Sequence, residues 1–211
     1  FSIQTAIENI YVRPGDEIEF RWILDSPSNR TVPLAIQGLE LMAERTEAEP
    51  LEPGSLVITE IFAGSAENGA EFIELYNPTP AALTLTGLTV RSGESFFVVQ
   101  QDVEIQPYDY FVLADSEMES ATGSAPGYLY HQPILSDGSG FIELYLGGAE
   151  AARAAYDISD PLSSLELTHT ISGFDGYASM QDFNPSGSDL GNGFSGTPGT
   201  MGNTVRHFTS A

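Results

Sequence analysis

With 211 residues, thirty Asp and Glu against seven basic residues, and neither Lys nor Cys, the chain carries a formal net charge of −23. Such a balance repels phosphate backbones and anionic lipid, so nucleic acid and membrane insertion are both excluded as expected partners. The absence of Cys removes disulfides, thiolate metal sites and thiol nucleophiles, while a 41% hydrophobic fraction with no apolar run of about 18 residues points to one packed core and no membrane helix.

The acidity arises from missing base, since charged residues total only 18% against an ordinary figure of about 25% and every basic residue is Arg. Phe1 is not an initiator Met, so processing or an internal start is expected. Along Phe1 to Val12, the apolar Phe1, Ile3, Ile7 and Tyr11 share one strand parity while Ser2, Gln4 and Glu8 occupy the other. This segment reads as a strand that needs a partner edge. A turn at Arg13-Pro14-Gly15-Asp16 leads to a second strand, Glu17 to Leu24, followed by a turn through Asp25 to Asn29. Asn29-Arg30-Thr31 is a short match to the glycosylation sequon. Three or four strands cannot close a core without staples, so residues 1–50 form a β-rich extension that docks either on the main body or on another chain.

Glu44 to Pro53, rich in Glu and Pro, reads as an exposed linker, and residues 51–211 form the main domain. Strands are expected over Leu56 to Phe62, Glu71 to Tyr76, Leu83 to Val90, Ser95 to Gln100, Tyr110 to Ala114 and Gly140 to Leu146, where branched, aromatic and alternating residues recur between Gly/Pro/Asn turns. Gly148 to Ala155 is Ala-rich enough to suggest a helical turn. From Gly173 the Gly-, Ser- and Asn-rich tail reads as a long surface loop followed by a last strand, Thr204 to Thr209. Short strands at this spacing make the chain all-β, a sandwich.

Three blocks in order, Leu56-Val57-Ile58-Thr59-Glu60-Ile61, Glu71-Phe72-Ile73-Glu74-Leu75-Tyr76-Asn77-Pro78 and Leu83-Thr84-Leu85-Thr86-Gly87-Leu88, closely resemble the opening of the lamin tail domain family. The likeness continues through Tyr110 to Asp115, Leu135-Ser136-Asp137-Gly138 before Phe141 to Tyr145, Gly176 to Gln181, and Thr197-Pro198-Gly199 with Asn203. It covers about residues 55–205, and it implies an immunoglobulin-like β-sandwich. Leu88 stands where many relatives carry Trp, a change of core packing. Bacterial relatives of this kind resemble accessory or adhesive modules of secreted and surface proteins, and residues 1–50 have no counterpart in the pattern.

Candidate chemistry is sparse. His131, His169 and His207 are far apart and sit beside no nucleophile or HExxH spacing. Glu60, Glu71 and Glu74 suggest a carboxylate cluster for acid/base work, but Glu71 and Glu74 have opposite strand parity and point to opposite faces, so a structural role is expected. Asp182, Asn184 and Ser186, followed by Gly187, reproduce the first half of a calcium loop; its closing Glu is replaced by Gly193. They are the metal candidates, for Ca²⁺ with weak binding, and no other cofactor is implied. Tyr108, Tyr110, Tyr128 and Tyr130 would favour sugar binding if they clustered at the surface, although core packing is the plainer expectation.

The expected function is therefore non-enzymatic: a secreted or cell-surface structural or adhesive protein that associates with itself or another surface protein. Phe1, Ile3, Ile7 and Tyr11 would mediate assembly by strand addition into a polymer or filament. The alternative is a carbohydrate- or protein-binding accessory module of a secreted system.

Overall fold

The computed structural model describes residues 51–64, 71–115, 126–168, 174–191, 193–200 and 202. The assembly strand Phe1, Ile3, Ile7 and Tyr11, the sequon at Asn29 and the strand Thr204 to Thr209 lie outside the described residues. Within them the fold is an all-β, immunoglobulin-like sandwich.

Its centre is a hairpin-like pair, β1 (Val57–Ala63) and β2 (Glu71–Tyr76), whose residues are all buried. A strand covered on both faces needs apolar or fastened side chains at every position, and these two have them. The six-stranded sheet is completed by β7 (Tyr110–Asp115) and β8 (Tyr128–Tyr130) on one side, and by β11 (Leu165–Leu167) and β13 (Phe183–Pro185) on the other. Facing it is a five-stranded sheet in the order β12 (Tyr177–Ala178), β10 (Ala149–Asp157), β9 (Ser139–Leu146), β4 (Thr89–Ser92) and β5 (Ser95–Val98). Two short pairs, β3 (Leu83–Thr84) with β6 (Glu104–Ile105) and β14 (Asp189–Gly191) with β15 (Phe194–Ser195), sit outside these layers.

The core between the sheets is continuous. Ile58, Ile61, Ile73, Leu75 and Leu113 from the first sheet meet Val90, Ile142, Leu144, Ala152, Ala154 and Tyr156 from the second, and Leu88 is fully buried among them. Each such aliphatic or aromatic side chain contributes roughly 1.5–3 kcal/mol by leaving water. A second, smaller cluster lies on the outer face of the six-stranded sheet, where Phe62, Phe72, Val112 and Ala114 are covered by Phe194. Phe62 stacks on Phe72 at 5.5 Å and 21°, and takes Phe194 edge-on at 5.5 Å and 88°.

Three expectations change. Gly148 to Ala155 is not a helical turn: Ala149–Asp157 is β10, nine residues long and paired with β9. Gly147 and Gly148, with φ of 59° and 81°, form a two-residue hairpin turn that needs positive φ at both positions. Strand geometry then follows from the partner, and the small Ala152 and Ala154 are fully buried in the core against the opposing sheet. The stretch read as Leu83 to Val90 is likewise two strands, β3 and β4, divided by a turn in which the Leu88 N–H donates to the Leu85 carbonyl at 2.8 Å. The tail read as loop carries β12, a 3₁₀ turn Met180–Asp182, and β13 to β15.

Candidate functional site

The most concentrated chemistry lies on the outer face of the six-stranded sheet. Register places Glu60 of β1 opposite Glu74 of β2 on one side and opposite Glu166 of β11 on the other. Three carboxylates thus form one row across three adjacent strands, each only 1% exposed. A β-bulge at Thr59, between the Ile58–Leu75 and Glu60–Glu74 pairs, makes this arrangement. It lets Ile58 face the core while Glu60 faces outward, and it brings the Thr59 hydroxyl within 2.6 Å of Glu74 Oε1, to which it donates.

Residues 194–200 and Gly202 close over this row. The Thr197 N–H donates to Glu60 Oε1 at 2.8 Å, its hydroxyl to Glu60 Oε2 at 3.2 Å, and the Gly199 N–H to Glu74 Oε2 at 2.7 Å. Ser164 donates its hydroxyl to Glu60, and Ser186 donates its hydroxyl to Glu166. The approach is close enough that a Cβ at Gly196 or Gly202 would stand 2.7 Å from a carboxylate oxygen of Glu60 or Glu166. Burial is the largest influence on Glu60 and raises its pKa to about 7, with the Glu166 charge adding to it against the hydrogen bonds. Glu74 is raised well above the ordinary carboxylate range, again by burial first and then by the Glu60 charge. Glu60 and Glu74 therefore form a coupled pair that holds protons more tightly than ordinary carboxylates do.

Glu71 lies on the other face, as strand parity requires. Its Oε1 accepts from the Tyr130 hydroxyl at 2.8 Å and the Ile134 N–H at 2.6 Å, and its Oε2 from the Leu135 N–H at 2.9 Å. Burial pushes its pKa up to about 6, with Asp115 nearby adding to the rise. The fully buried Asn77 ties another junction together, donating from Nδ2 to the carbonyls of Ala81, Ile105 and Gln106 and accepting from Thr79.

All these buried polar groups are fasteners: the carboxylates accept from backbone N–H groups or hydroxyls, and Asn77 donates to backbone carbonyls. A reactant could meet the carboxylate row only after residues 194–200 and Gly202 had been displaced. Acid/base work at Glu60, Glu71 and Glu74 does not fit this geometry, and their structural role is what the contacts display.

The calcium candidates take up separate contacts. The Asp182 carboxylate accepts from the Ser179 N–H and hydroxyl, both at 2.7 Å, closing the 3₁₀ turn. Asn184 is exposed on β13 opposite Glu166, and Ser186 is buried with its hydroxyl given to Glu166. Among the described residues no group of three or more His, Asp or Glu is arranged to hold a metal ion. The four tyrosines also part company: Tyr110 packs on Tyr76, Tyr130 on Phe97 at 4.1 Å and Tyr128 on Phe97 at 6.1 Å, while Tyr108 stands exposed.

The sequence reading missed Glu166, and it named Thr197-Pro198-Gly199 only as part of the family pattern, without a partner. Leu165-Glu166-Leu167 does alternate as a strand should, with Glu166 on the opposite face from two buried leucines, but three residues are too few to distinguish a strand from a loop.

The sequence model of the lamin tail domain matches residues 50–157, a little over half of the chain, and stops where β10 stops. No curated protein matches the chain. The match contains two rungs of the carboxylate row, Glu60 and Glu74, together with Glu71 and Asn77. The third rung and the covering segment follow it. From this match and the sandwich it predicts, the chain belongs to the lamin tail domain family, a family of non-enzymatic, immunoglobulin-like structural domains.

Proposed function

We propose that this protein is a non-enzymatic structural subunit of a secreted or cell-surface assembly, a rigid sandwich that holds partners and transforms no substrate. The observation that carries the reading is the use of the buried polar groups. Glu60, Glu71, Glu74, Glu166 and Asn77 all fasten loops to the sandwich. Family membership supports the same role. A Lys-free, Cys-free surface with a net charge of −23 suits an oxidising, protease-rich exterior.

In this reading Phe1 to Val12 adds as a strand to a neighbouring subunit, with Phe1, Ile3, Ile7 and Tyr11 packed inward, and heterologous addition yields a filament. The double variant Ile3→Asp/Ile7→Asp tests it by light scattering coupled to gel filtration. Large species in the wild type that collapse to small folded species in the variant support strand exchange. A variant that melts lower with unchanged size means that the strand docks on its own body, and one unchanged in both respects refutes the packed strand.

A further inference from the structure

The stretch that covers the carboxylate row is held in two different ways. Residues 194–196 are tied to the body by backbone bonds: the Ser195 N–H donates to the Leu162 carbonyl and the Gly196 N–H to the Ser188 carbonyl, both at 2.8 Å. The Ser195 carbonyl accepts from the Ser164 N–H at 2.9 Å, and Phe194 adds its edge-on contact with Phe62. Residues 197–200 have no such ladder. Among the described residues, every hydrogen bond that leaves 197–200 ends on a carboxylate of the row: Thr197 on Glu60 and, at 3.4 Å, on Glu166, and Gly199 on Glu74. The Thr200 N–H and hydroxyl both turn back to the Thr197 carbonyl.

Those carboxylates are themselves crowded. Glu60 stands between Glu74 and Glu166, and no Lys, Arg or His occurs in β1, β2, β7, β11, β13 or residues 193–200. Tyr76, two residues along β2 from Glu74, and Tyr110 opposite it on β7 share this face; burial holds both phenols above their ordinary range, so they stay neutral. On β13, Asn184 lies opposite Glu166, and the Ser186 hydroxyl beyond the strand donates to it. Asp189 of β14 lies opposite Ser195, at the anchored end of the cover.

We propose that residues 197–200 form a pH-gated flap, shut while Glu60 and Glu74 hold protons and released as they ionise, with Gly196 at its root. Two opposing effects decide the direction. An ionised carboxylate accepts the Thr197 and Gly199 N–H groups more strongly, which favours closure. Against it stand the desolvation of each charge beneath the flap and the repulsion between neighbouring carboxylates, and both are relieved when the flap lifts and water enters. Burial outweighs the hydrogen bonds at Glu60 and at Glu74, so release prevails. The closed form thus binds protons more tightly than the open form. Its advantage is complete below about pH 4.5 and is lost as pH rises through about 7, the value that Glu60 takes beneath the flap.

The device is local. Residues 194–196 keep their backbone bonds, and the core between the sheets is not involved, so release needs no unfolding and does not depend on how the protein assembles.

Amide hydrogen exchange of the full chain, resolved by NMR at pH 5.5 and pH 8.0 in 0.5 M NaCl, tests this. Once the intrinsic pH dependence of exchange is divided out, protection of the Thr197 and Gly199 amides should fall about tenfold or more between the two pH values. Amides of β1 and β2 should remain at least about tenfold better protected than the flap at pH 8.0, which separates local release from global unfolding. Glu60→Gln and Glu74→Gln, made separately so that either one suffices, keep an acceptor oxygen but cannot ionise. Each should reduce the fall to about threefold or less. Flap protection that does not change with pH in the wild type would overturn the proposal. So would a flap and a β2 that lose protection together, or a fall that either folded Gln variant retains in full.

Discussion

Glu60 shows how one carboxylate can be both buried and useful. Removing it to Ala would leave the Ser164 hydroxyl and the Thr197 N–H without their acceptor and open a cavity, costing about 2–4 kcal/mol. Glu60→Gln keeps the shape and an acceptor oxygen but cannot ionise. Because burial holds the Glu60 pKa near 7, Gln imitates the form that the fold prefers. The variant should melt higher than the wild type at pH 8, and the difference should shrink toward zero at pH 5; a lower melting point at pH 8 would show that the charge itself is needed. Part of this site was legible beforehand. Opposite faces for Glu71 and Glu74 follow from strand parity, but the pairing of Glu60 with Glu74 depends on the Thr59 bulge, which no alternation pattern announces.

At the scale of elements, β10 is the instructive failure. Ala-rich composition favours a helix in isolation, yet a strand's conformation is decided by its partner, and the Gly147-Gly148 turn commits the chain to pairing with β9. Glycine pairs between apolar runs are a hairpin signal, and here they outrank Ala. A test follows from the geometry of Gly148, where φ is 81° and a Cβ would meet nothing within 4 Å. Substitution there strains the backbone without a clash. Gly148→Val should cost about 1–2 kcal/mol and Gly148→Asn clearly less, since Asn tolerates the left-handed region, as urea denaturation can measure. Equal costs for the two would mean that the turn is not held in that conformation. β1 and β2 were legible because each is six or seven residues long, rich in branched and aromatic residues and fully buried; β11 to β15 were not, being two or three residues each.

For the whole molecule, the raised carboxylates Glu60, Glu71 and Glu74 and the acidic surface act in the same direction on stability. A folded-state pKa above the unfolded value means that the native state holds the proton more tightly, so the stabilisation is complete below about pH 4.5 and fades as pH rises through the folded pKa. Glu60, near 7, and Glu71, near 6, place that loss between roughly pH 5 and pH 8, and Glu74 shifts the same way. A rise of the size shown by Glu60 corresponds to a few kcal/mol, and for a chain of this length each kcal/mol moves Tm by about 2–4 °C. Tm should therefore fall on the order of 10 °C from pH 5 to pH 8, where many proteins change little. Salt separates the two contributions. Repulsion among exposed acids is screened, whereas the buried charges beneath residues 194–200 lie out of reach of counterions. In 0.5 M NaCl the slope of Tm against pH should shrink but persist in the wild type, and it should flatten further in Glu60→Gln. If salt alone abolished the slope, the surface would be its source, and the carboxylate row would be no more than packing.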